Sequence, residues 1–209
     1  MMRALIFLIL LGGSLQTSAA PIRFPDHNFS VEIPAGWMPI RPLPPEALAA
    51  VQSPDASKKL LVFATKYRAK ESSSDAHNAL EGARETLGKQ GWKIDPERPL
   101  TLGGQPFVSR TAHIPTGGTM TAYATAAGDQ LYMLQTFLQA GDATRDPDLQ
   151  SIVQSFTLLS PPPPPTDTTP LWADPRRAGR AFGNLIVYGS IFAVVATLIR
   201  RLIFGRGNA

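Results

Sequence analysis

The chain has 209 residues, of which 44% are hydrophobic, so it is long enough for one ordinary domain with additional segments. It contains no cysteine, which excludes a disulfide framework, a thiolate metal site and a cysteine nucleophile. The net charge of +4 does not come from residues 21–160, which carry 13 Lys and Arg against 14 Asp and Glu. A nucleic-acid-binding domain concentrates basic residues on its own surface, so no nucleic-acid partner is expected.

Residues 1–20 have the pattern of a secretory signal peptide. Arg3 supplies a positive start, residues 4–11 form a short apolar stretch, and Ser18 and Ala20 stand at the −3 and −1 positions of a cleavage site before Pro21. The alternative is an uncleaved anchor, but the apolar stretch is shorter than the roughly 20 residues of a membrane span. We therefore predict cleavage at or near Ala20 and export of the domain that follows, residues 21–160.

The first part of this domain predicts two strands and a short helix. The stretch "NFSVEIPAGW" places Phe29, Val31 and Ile33 on one side, which is typical of a half-buried strand. Residues 44–51, "PPEALAAV", favour a short helix with Pro45 near its start. Residues 60–67 predict a second strand.

Residues 72–91 predict an amphipathic helix, since apolar residues recur on one face: Ala76, Leu80, Ala83 and Leu87. Ser72 and Asp75 resemble a capping box at its start. Three strands follow, at residues 105–114, 119–127 and 130–139, and Gly128-Asp129 suits a tight hairpin turn between the last two. A final helix within residues 146–156 has Pro147 in its first turn and one apolar side formed by Leu149, Ile152, Val153 and Phe156.

This order of elements predicts an α+β fold with an antiparallel sheet. Three features resemble the PsbP-like superfamily, which includes the photosystem II extrinsic proteins and the DcrB-like bacterial envelope proteins. They are "FSVEIPAGW" at residues 29–37, a helix followed by a strand meander, and the closing "LQSIVQSF" at residues 149–156. The resemblance implies an α-β-α sandwich without a shared catalytic apparatus, in a family whose members are mostly binding or assembly factors.

The C-terminal part predicts a membrane anchor behind a stiff spacer. Residues 161–180 form a proline-rich linker and a basic juxtamembrane segment, and the proline stretch extends by about 3.1 Å per residue. Residues 181–199 contain no charge and are long enough to cross a bilayer as a helix. The anchoring residues are the apolar side chains of this run and its flanking arginines: Arg180, Leu185, Ile186, Val187, Ile191, Phe192, Val194, Val195, Leu198, Ile199, Arg200 and Arg201.

The orientation of the span follows from the signal peptide, because the flanking arginines are balanced at three on each side. We expect a single-pass protein of the cell (inner) membrane, with its domain on the periplasmic or extracellular side and residues 200–209 in the cytoplasm. Gly189, Ala193 and Thr197 form a stripe of small residues at four-residue spacing. Such a stripe permits weak homodimerisation through the span, although small residues also occur in spans that never pair.

No catalytic, metal or cofactor site is predicted. Asp26-His27 is an adjacent pair without a third ligand nearby, and we interpret it as a solvated loop. His77 on the polar side of a helix and His113 in a strand are interpreted as surface or partly buried histidines. Trp37 and Trp92 each follow a glycine, and for both we favour the core over a ligand platform.

Three functions remain open from the sequence. The first is a membrane-anchored, non-enzymatic domain that binds an unidentified protein partner in the envelope. The second is a small-molecule or lipid carrier with a cavity between sheet and helices. The third is a hydrolase whose catalytic residues are too scattered to recognise. An apolar pocket, a cluster of titratable groups or an exposed apolar surface distinguishes among them.

Overall fold

The structure is a computed structural model that describes residues 20–44, 46–66, 72–115 and 117–162. Within these ranges, a small sheet contains β1 (Ala20–Phe24), β2 (Phe29–Ile33) and β11 (Thr157–Leu158), in the order β1-β2-β11. The strands of the large sheet are β3 (Met38–Pro39), β4 (Ala49–Gln52), β5 (Lys58–Lys66), β6 (Lys93–Ile94), β7 (Arg98–Leu102), β8 (Gln105–His113), β9 (Thr119–Ala127) and β10 (Gln130–Leu138). Their order is β3-β4-β5-β10-β9-β8-β6, and β7 also pairs with β8. All pairings in both sheets are antiparallel.

The predicted strands are confirmed where apolar alternation or a turn signal indicated them. In β2 the side chains of Phe29, Val31 and Ile33 are buried, whereas Glu32 is exposed. The meander of β8, β9 and β10 is present, and its second turn has Gly128 at a φ of +62°. Glycine adopts this left-handed conformation without steric cost, so a tight two-residue hairpin closes there.

The helices predicted at residues 72–91 and within residues 146–156 are also confirmed. Helix α1 (Ser72–Gly88) buries its predicted apolar face, formed by Ala76, Leu80, Ala83 and Leu87. The side chains of the Ser72–Asp75 capping box lie outside the described residues. Helix α2 (Pro147–Gln154) begins at the N-cap Asp146, whose side chain accepts a hydrogen bond from the Leu149 amide. Its buried residues are Leu149, Ile152 and Val153, and Phe156 is buried directly after it.

One face of the large sheet is covered by the small sheet together with α2. Aromatic rings from all three parts meet in this space, with Phe156 at their centre. Its ring centroid lies 5.5 Å from Phe29 of β2, 5.0 Å from Phe107 of β8 and 5.6 Å from Tyr132 of β10. We call this face the aromatic face; its packing holds both chain ends of the domain against the large sheet.

The opposite face of the large sheet is covered by α1 and is rich in alanine. Ala76 and Ala79 of the helix pack with Ala122, Ala124 and Ala126 of β9 in one buried cluster. We call this the alanine face. The layers are therefore α1, the large sheet, and then the small sheet with α2, so the second outer layer is a mixture of strand and helix rather than helix alone.

The helix predicted at residues 44–51 is wrong. Residues from Ala49 onward form β4, which pairs with β5 in the register Ala49↔Val62 to Gln52↔Lys59. Ala50 packs on the alanine face and Val51 on the aromatic face, the alternation of a strand buried on both sides. The helical preference of alanine amounts to tenths of a kcal/mol per residue, less than this pairing and burial contribute.

Several short strands were not predicted, because their sequences carry no clear alternation: β1, β3, β6, β7 and β11. The most consequential is β1, since its first pair, Ala20↔Ile33, includes the residue that precedes the expected cleavage site. Cleavage after Ala20 removes that pair and leaves Pro21↔Glu32 as the first.

The expected membrane anchor cannot be compared with this architecture, because residues 163–209 lie outside the described part of the chain, as do residues 1–19 of the signal peptide. The span at 181–199, its anchoring residues and the Gly189, Ala193 and Thr197 stripe all belong to that part. Neither α1 nor α2, the helices of the described ranges, is long and apolar enough to cross a membrane.

Candidate binding groove

The large sheet splits at one end, between β8 and β9. The ladder that joins them runs from His113↔Thr119 to Val108↔Ala124 and ends there. Beyond that pair, β8 continues along β7, with Gln105↔Leu102 and Pro106↔Thr101 in register. Pro106 has no N–H to donate to β9, so the position that would extend the ladder contains a residue that cannot do so.

The split leaves Ala126 with a backbone that faces the gap. In a two-residue hairpin the closing pair, here Ala127↔Gln130, is hydrogen bonded between its own strands. By alternation, the N–H and C=O of Ala126 point to the other side, toward β8. Within the described ladder they have no partner on β8, and the Thr125 hydroxyl donates instead to the Pro106 carbonyl at 2.6 Å.

A groove of about 460 Å³ occupies this end of the sheet. Its described walls come from β7, β8, β9 and the first turns of α1, and these residues include no charged or titratable side chain: Ala76, Pro99, Leu100, Thr101, Pro106, Phe107, Val108, Thr125 and Ala126. The volume lies within the usual range of ligand pockets, roughly 300–1,000 Å³. A mainly apolar lining with two threonine hydroxyls and backbone polar groups is suited to binding, and among its described residues there is no titratable side chain to activate a hydroxyl or to act as acid or base.

An ionic cluster lies beside the groove on the alanine face. Arg110 of β8 donates to Glu81 of α1 at 3.0 Å and to Glu97, which precedes β7, at 3.3 Å. His77 Nδ1 lies 2.9 Å from Glu97 Oε2, and Arg84 pairs with Glu81 along the helix. The cluster therefore fixes α1 to β8 and to the segment before β7, the same elements that form two walls of the groove.

The electrostatics of this cluster are structural rather than catalytic. Hydrogen bonds from Arg84 and then from Arg110 lower the pKa of Glu81 to about 2. A carboxyl with that pKa stays ionised at neutral pH and has no proton to donate. Arg110 is nearly enclosed, with 11% of its side chain exposed, and its Nε has no hydrogen-bond partner among the described residues.

The residues weighed in the sequence for metal or acid–base chemistry are dispersed. Asp26 and His27 lie in a 3-10 turn (Pro25–His27), where His27 Nδ1 is 3.1 Å from Gln130 Oε1. His113 Nε2 is 3.1 Å from Asp95 Oδ1. Among the described residues no three His, Cys, Asp or Glu side chains come close enough together to hold a metal ion.

Trp37 and Trp92 are part of the core packing, as predicted. Trp37 is half-buried against the aromatic face, and Trp92 is half-buried against Leu87, Ala112 and Met120. Neither lines the groove. The groove itself was missed by the sequence reasoning. Its signal was a proline inside a strand, Pro106, which is tolerated only at edges and breaks in pairing.

No family model and no curated protein matches the sequence. Solved structures do match the fold. The solution structure of cyanobacterial PsbP (CyanoP) from Synechocystis aligns with a TM-score of 0.52 at 13% identity, covering 70% of this chain and 96% of that chain. A crystal structure of a protein from Bacteroides thetaiotaomicron aligns with a TM-score of 0.42 at 12% identity, covering 63% of this chain and 45% of that chain. The fold of the described domain is PsbP-like, as the sequence resemblance implied.

Proposed function

We propose that the chain is a membrane-anchored, non-enzymatic binding or assembly factor of the cell envelope, whose groove receives a segment of a protein partner. The observation that carries this proposal is the uncharged groove at the split between β8 and β9. An extended segment suits it, because by strand alternation the Ala126 N–H and C=O point toward the gap where the ladder with β8 has ended. The PsbP-like fold, from a superfamily of mostly binding or assembly factors, supports the same class of function.

A hydrolase is less well supported by this geometry. Beside the groove, the carboxylates of Glu81 and Glu97 are both paired with Arg110. Catalysis needs titratable groups that converge on a cleft and are free to bond to a substrate. In the described residues the groove walls carry none.

A small-molecule carrier is the second candidate, and the volume of the groove favours it specifically. About 460 Å³ is enough for a small apolar ligand. The groove lies at the break between β8 and β9, and Ala76 of α1 forms part of its described lining. A protein segment can also bond to the backbone of Ala126, which lies beyond the end of the β8–β9 ladder, whereas an apolar small molecule cannot.

Photo-crosslinking of the full chain in its native membrane tests these alternatives. A photoreactive residue at Pro99, exposed on the groove wall, should form a discrete adduct with a protein, whereas one at Glu32, exposed on β2, should not. Thr101→Trp should fill the groove and abolish the adduct. Thr157→Trp, at an exposed strand position outside the groove, is the matched control and should leave it intact.

The same variants identify the carrier if that is the correct function. Native mass spectrometry of the detergent-extracted chain would then show a small molecule that Thr101→Trp removes and Thr157→Trp retains, with no protein adduct at Pro99. Absence of both a groove-dependent adduct and a groove-dependent small molecule would reject binding at this groove.

The anchoring part of the proposal has its own test. A reporter active only outside the cytoplasm should be active when fused at residue 160 and inactive at residue 209. The reverse result contradicts the proposed orientation. If the span also pairs weakly with a second copy, Gly189→Ile and Ala193→Ile should reduce dimerisation in a membrane reporter assay, and Val187→Ile should not.

A further inference from the structure

The β7–β8 hairpin forms two walls of the groove, and its turn lies against the backbone where α2 leads into β11. A Cβ added at Gly103 in this turn would overlap the Phe156 carbonyl oxygen and lie 3.4 Å from the Thr157 Cα. Phe107 of the same hairpin lines the groove, and its ring centroid lies 5.0 Å from that of Phe156. The position of the hairpin, and with it the width of the groove, therefore depends on residues 156–157.

β11 and the two residues after it bury little apolar surface. β11 pairs with β2 through Thr157↔Ser30 and Leu158↔Phe29. Leu158 is half-buried, whereas the other residues of 157–160 are exposed. We call residues 157–160 the strap. A segment with so little buried side chain opens locally at a lower free energy than the core does.

Asn28 holds the end of the strap. Its side chain donates to the Ser160 carbonyl at 3.0 Å and accepts from the Ser160 amide at 2.9 Å and hydroxyl at 2.7 Å. The Leu159 amide also donates to the Asn28 carbonyl at 3.0 Å. Asn28 has a left-handed backbone, with φ of 58°, which glycine also adopts. Asn28→Gly therefore removes the side-chain bonds to the strap and keeps the backbone conformation.

We propose that the strap controls the width of the groove. While Asn28 holds the strap, the turn of the β7–β8 hairpin is supported by residues 156–157. When the strap is released, the turn loses this support and the groove opens more often. This inference rests on the proposed function, because it makes partner access to the groove depend on the point where the chain leaves the domain.

The pairing of β8 allows movement at the tip of the hairpin and resists it at the base. β8 has no described ladder with β9 beyond Ala124, so movement of the tip breaks no strand pair between them. A hydrogen bond from the Thr125 hydroxyl to the Pro106 carbonyl crosses this gap. Arg110, at the base, pairs with Glu81 of α1 and so holds β8 in place. Release of the strap should therefore move the groove walls and leave the rest of the large sheet unchanged.

Thiol labelling of the detergent-solubilised full chain tests the proposal, and the absence of native cysteine makes each introduced probe unambiguous. The test probe is Ala126→Cys in the groove lining, where the native side chain is 7% exposed. The control probe is Ala122→Cys on the same strand and the same face, outside the groove lining and 2% exposed. Asn28→Gly should raise the labelling rate at position 126 on the order of tenfold and leave the rate at position 122 unchanged.

The labelling rates at the two probes distinguish three results. A rise at position 126 alone supports the proposal. A similar rise at both positions indicates a general loss of stability, and no rise at position 126 shows that the groove is independent of Asn28. Either of these last two results overturns the proposal.

Hydrogen exchange tests the same coupling in the other direction, because two linked equilibria must affect each other equally. Gly103 and Gly104 both have a positive φ, but a Cβ on Gly103 meets Phe156, whereas a Cβ on Gly104 meets nothing within 4 Å. Gly103→Ala should therefore speed exchange of the Leu159 and Ser160 amides on the order of tenfold, and Gly104→Ala, the matched control, should not. Equal exchange in the two variants would contradict a link between the turn and the strap.

These outcomes are separable from those of the proposed function, because neither measurement needs a partner. A protein adduct at Pro99 in membranes, combined with labelling at position 126 that does not respond to Asn28→Gly, retains partner binding and rejects control by the strap. Labelling that does respond, without any protein adduct, supports control by the strap and rejects the partner.

Discussion

The two faces of the large sheet differ in the side chains that pack on them: aromatic rings on one face and many alanines on the other. The aromatic face is filled by rings around Phe156, because its cover consists of a small sheet and a short helix that leave space between them. The alanine face has alanines where α1 meets β9, which let the helix lie close to that strand, and larger side chains such as Phe63 and Met133 on the neighbouring strands. The size of the buried side chains thus follows from the element that covers each face.

The faces also differ in buried polar groups. The Arg110 Nε and the Gln135 Oε1 are the buried side-chain polar atoms without a hydrogen-bond partner among the described residues. Arg110 pairs with Glu81 of α1, and Gln135 lies on the same side of β10 as Leu131 and Met133 of the alanine face. The aromatic face is therefore the better-satisfied half of the core, and we expect it to contribute more to stability.

The largest effect is expected at the centre of the aromatic face. Phe156→Ala should lower the free energy of unfolding by about 3–5 kcal/mol, since it leaves a cavity among three other rings. Urea unfolding measures this. Leu159→Ala, at a side chain that is 43% exposed, is the control and should change stability by less than about 0.5 kcal/mol. Similar losses from both variants would show that the aromatic cluster is not the main core.

On the alanine face, a larger side chain should destabilise the protein by overpacking. Ala122 is 2% exposed and lies opposite both Arg110 and Gln135 in the sheet, beneath α1. Ala122→Leu should cost about 1–3 kcal/mol in the same measurement, because neighbouring atoms must move. Ala140→Leu, at an exposed loop position, should be close to neutral. A neutral Ala122→Leu would mean that α1 is not tightly packed on the sheet.

Replacing a glutamine amide should change the free energy of unfolding in opposite directions on the two faces. Gln135→Met removes the unpartnered Oε1 and should stabilise the protein by about 1 kcal/mol. Gln150→Met on α2 removes a hydrogen bond to the Tyr123 hydroxyl at 3.0 Å and should destabilise by about 1 kcal/mol. If both variants changed the free energy of unfolding in the same direction, the two faces would not differ in how well their polar groups are hydrogen bonded.

The smallest effect is expected from the ionic cluster that holds α1. The pKa of Glu81 is lowered from 4.5 to about 2, so its contribution is complete above about pH 4.5 and is lost as the pH falls toward 2. Glu81→Gln should destabilise the protein at pH 7, and the difference from the wild type should shrink across that window. Urea midpoints at pH 7, 4 and 2.5 test this; a difference that stays constant with pH would exclude Glu81 as its source.

Much of the fold was predictable from the sequence because it has local patterns. Alternation marked β2, helical spacing marked α1 and α2, and Gly128 marked the closing hairpin. Each pattern reflects geometry within one element, so it needs no knowledge of the neighbours. The resemblance to the PsbP-like superfamily depended on the same elements.

The candidate groove was not predictable in this way, because its walls come from residues 76 to 126 and meet only in the folded sheet. Pro106 indicated a break in pairing, yet the sequence does not say with which neighbouring strand the pairing ends. The described ladders show that β8 stops pairing with β9 beyond Ala124 and goes on pairing with β7.

The sequence by itself determined the longer strands and the two helices, the absence of thiol chemistry, and the separation of a nearly neutral stretch, residues 21–160, from basic chain ends. The tertiary structure decided that residues 49–52 form a strand, that short β1 and β11 flank β2, and that Asn28 holds Ser160, 132 residues away. The physical reason is that local patterns encode backbone geometry, whereas strand pairing, close packing and the contact between Asn28 and Ser160 depend on residues that are distant along the chain.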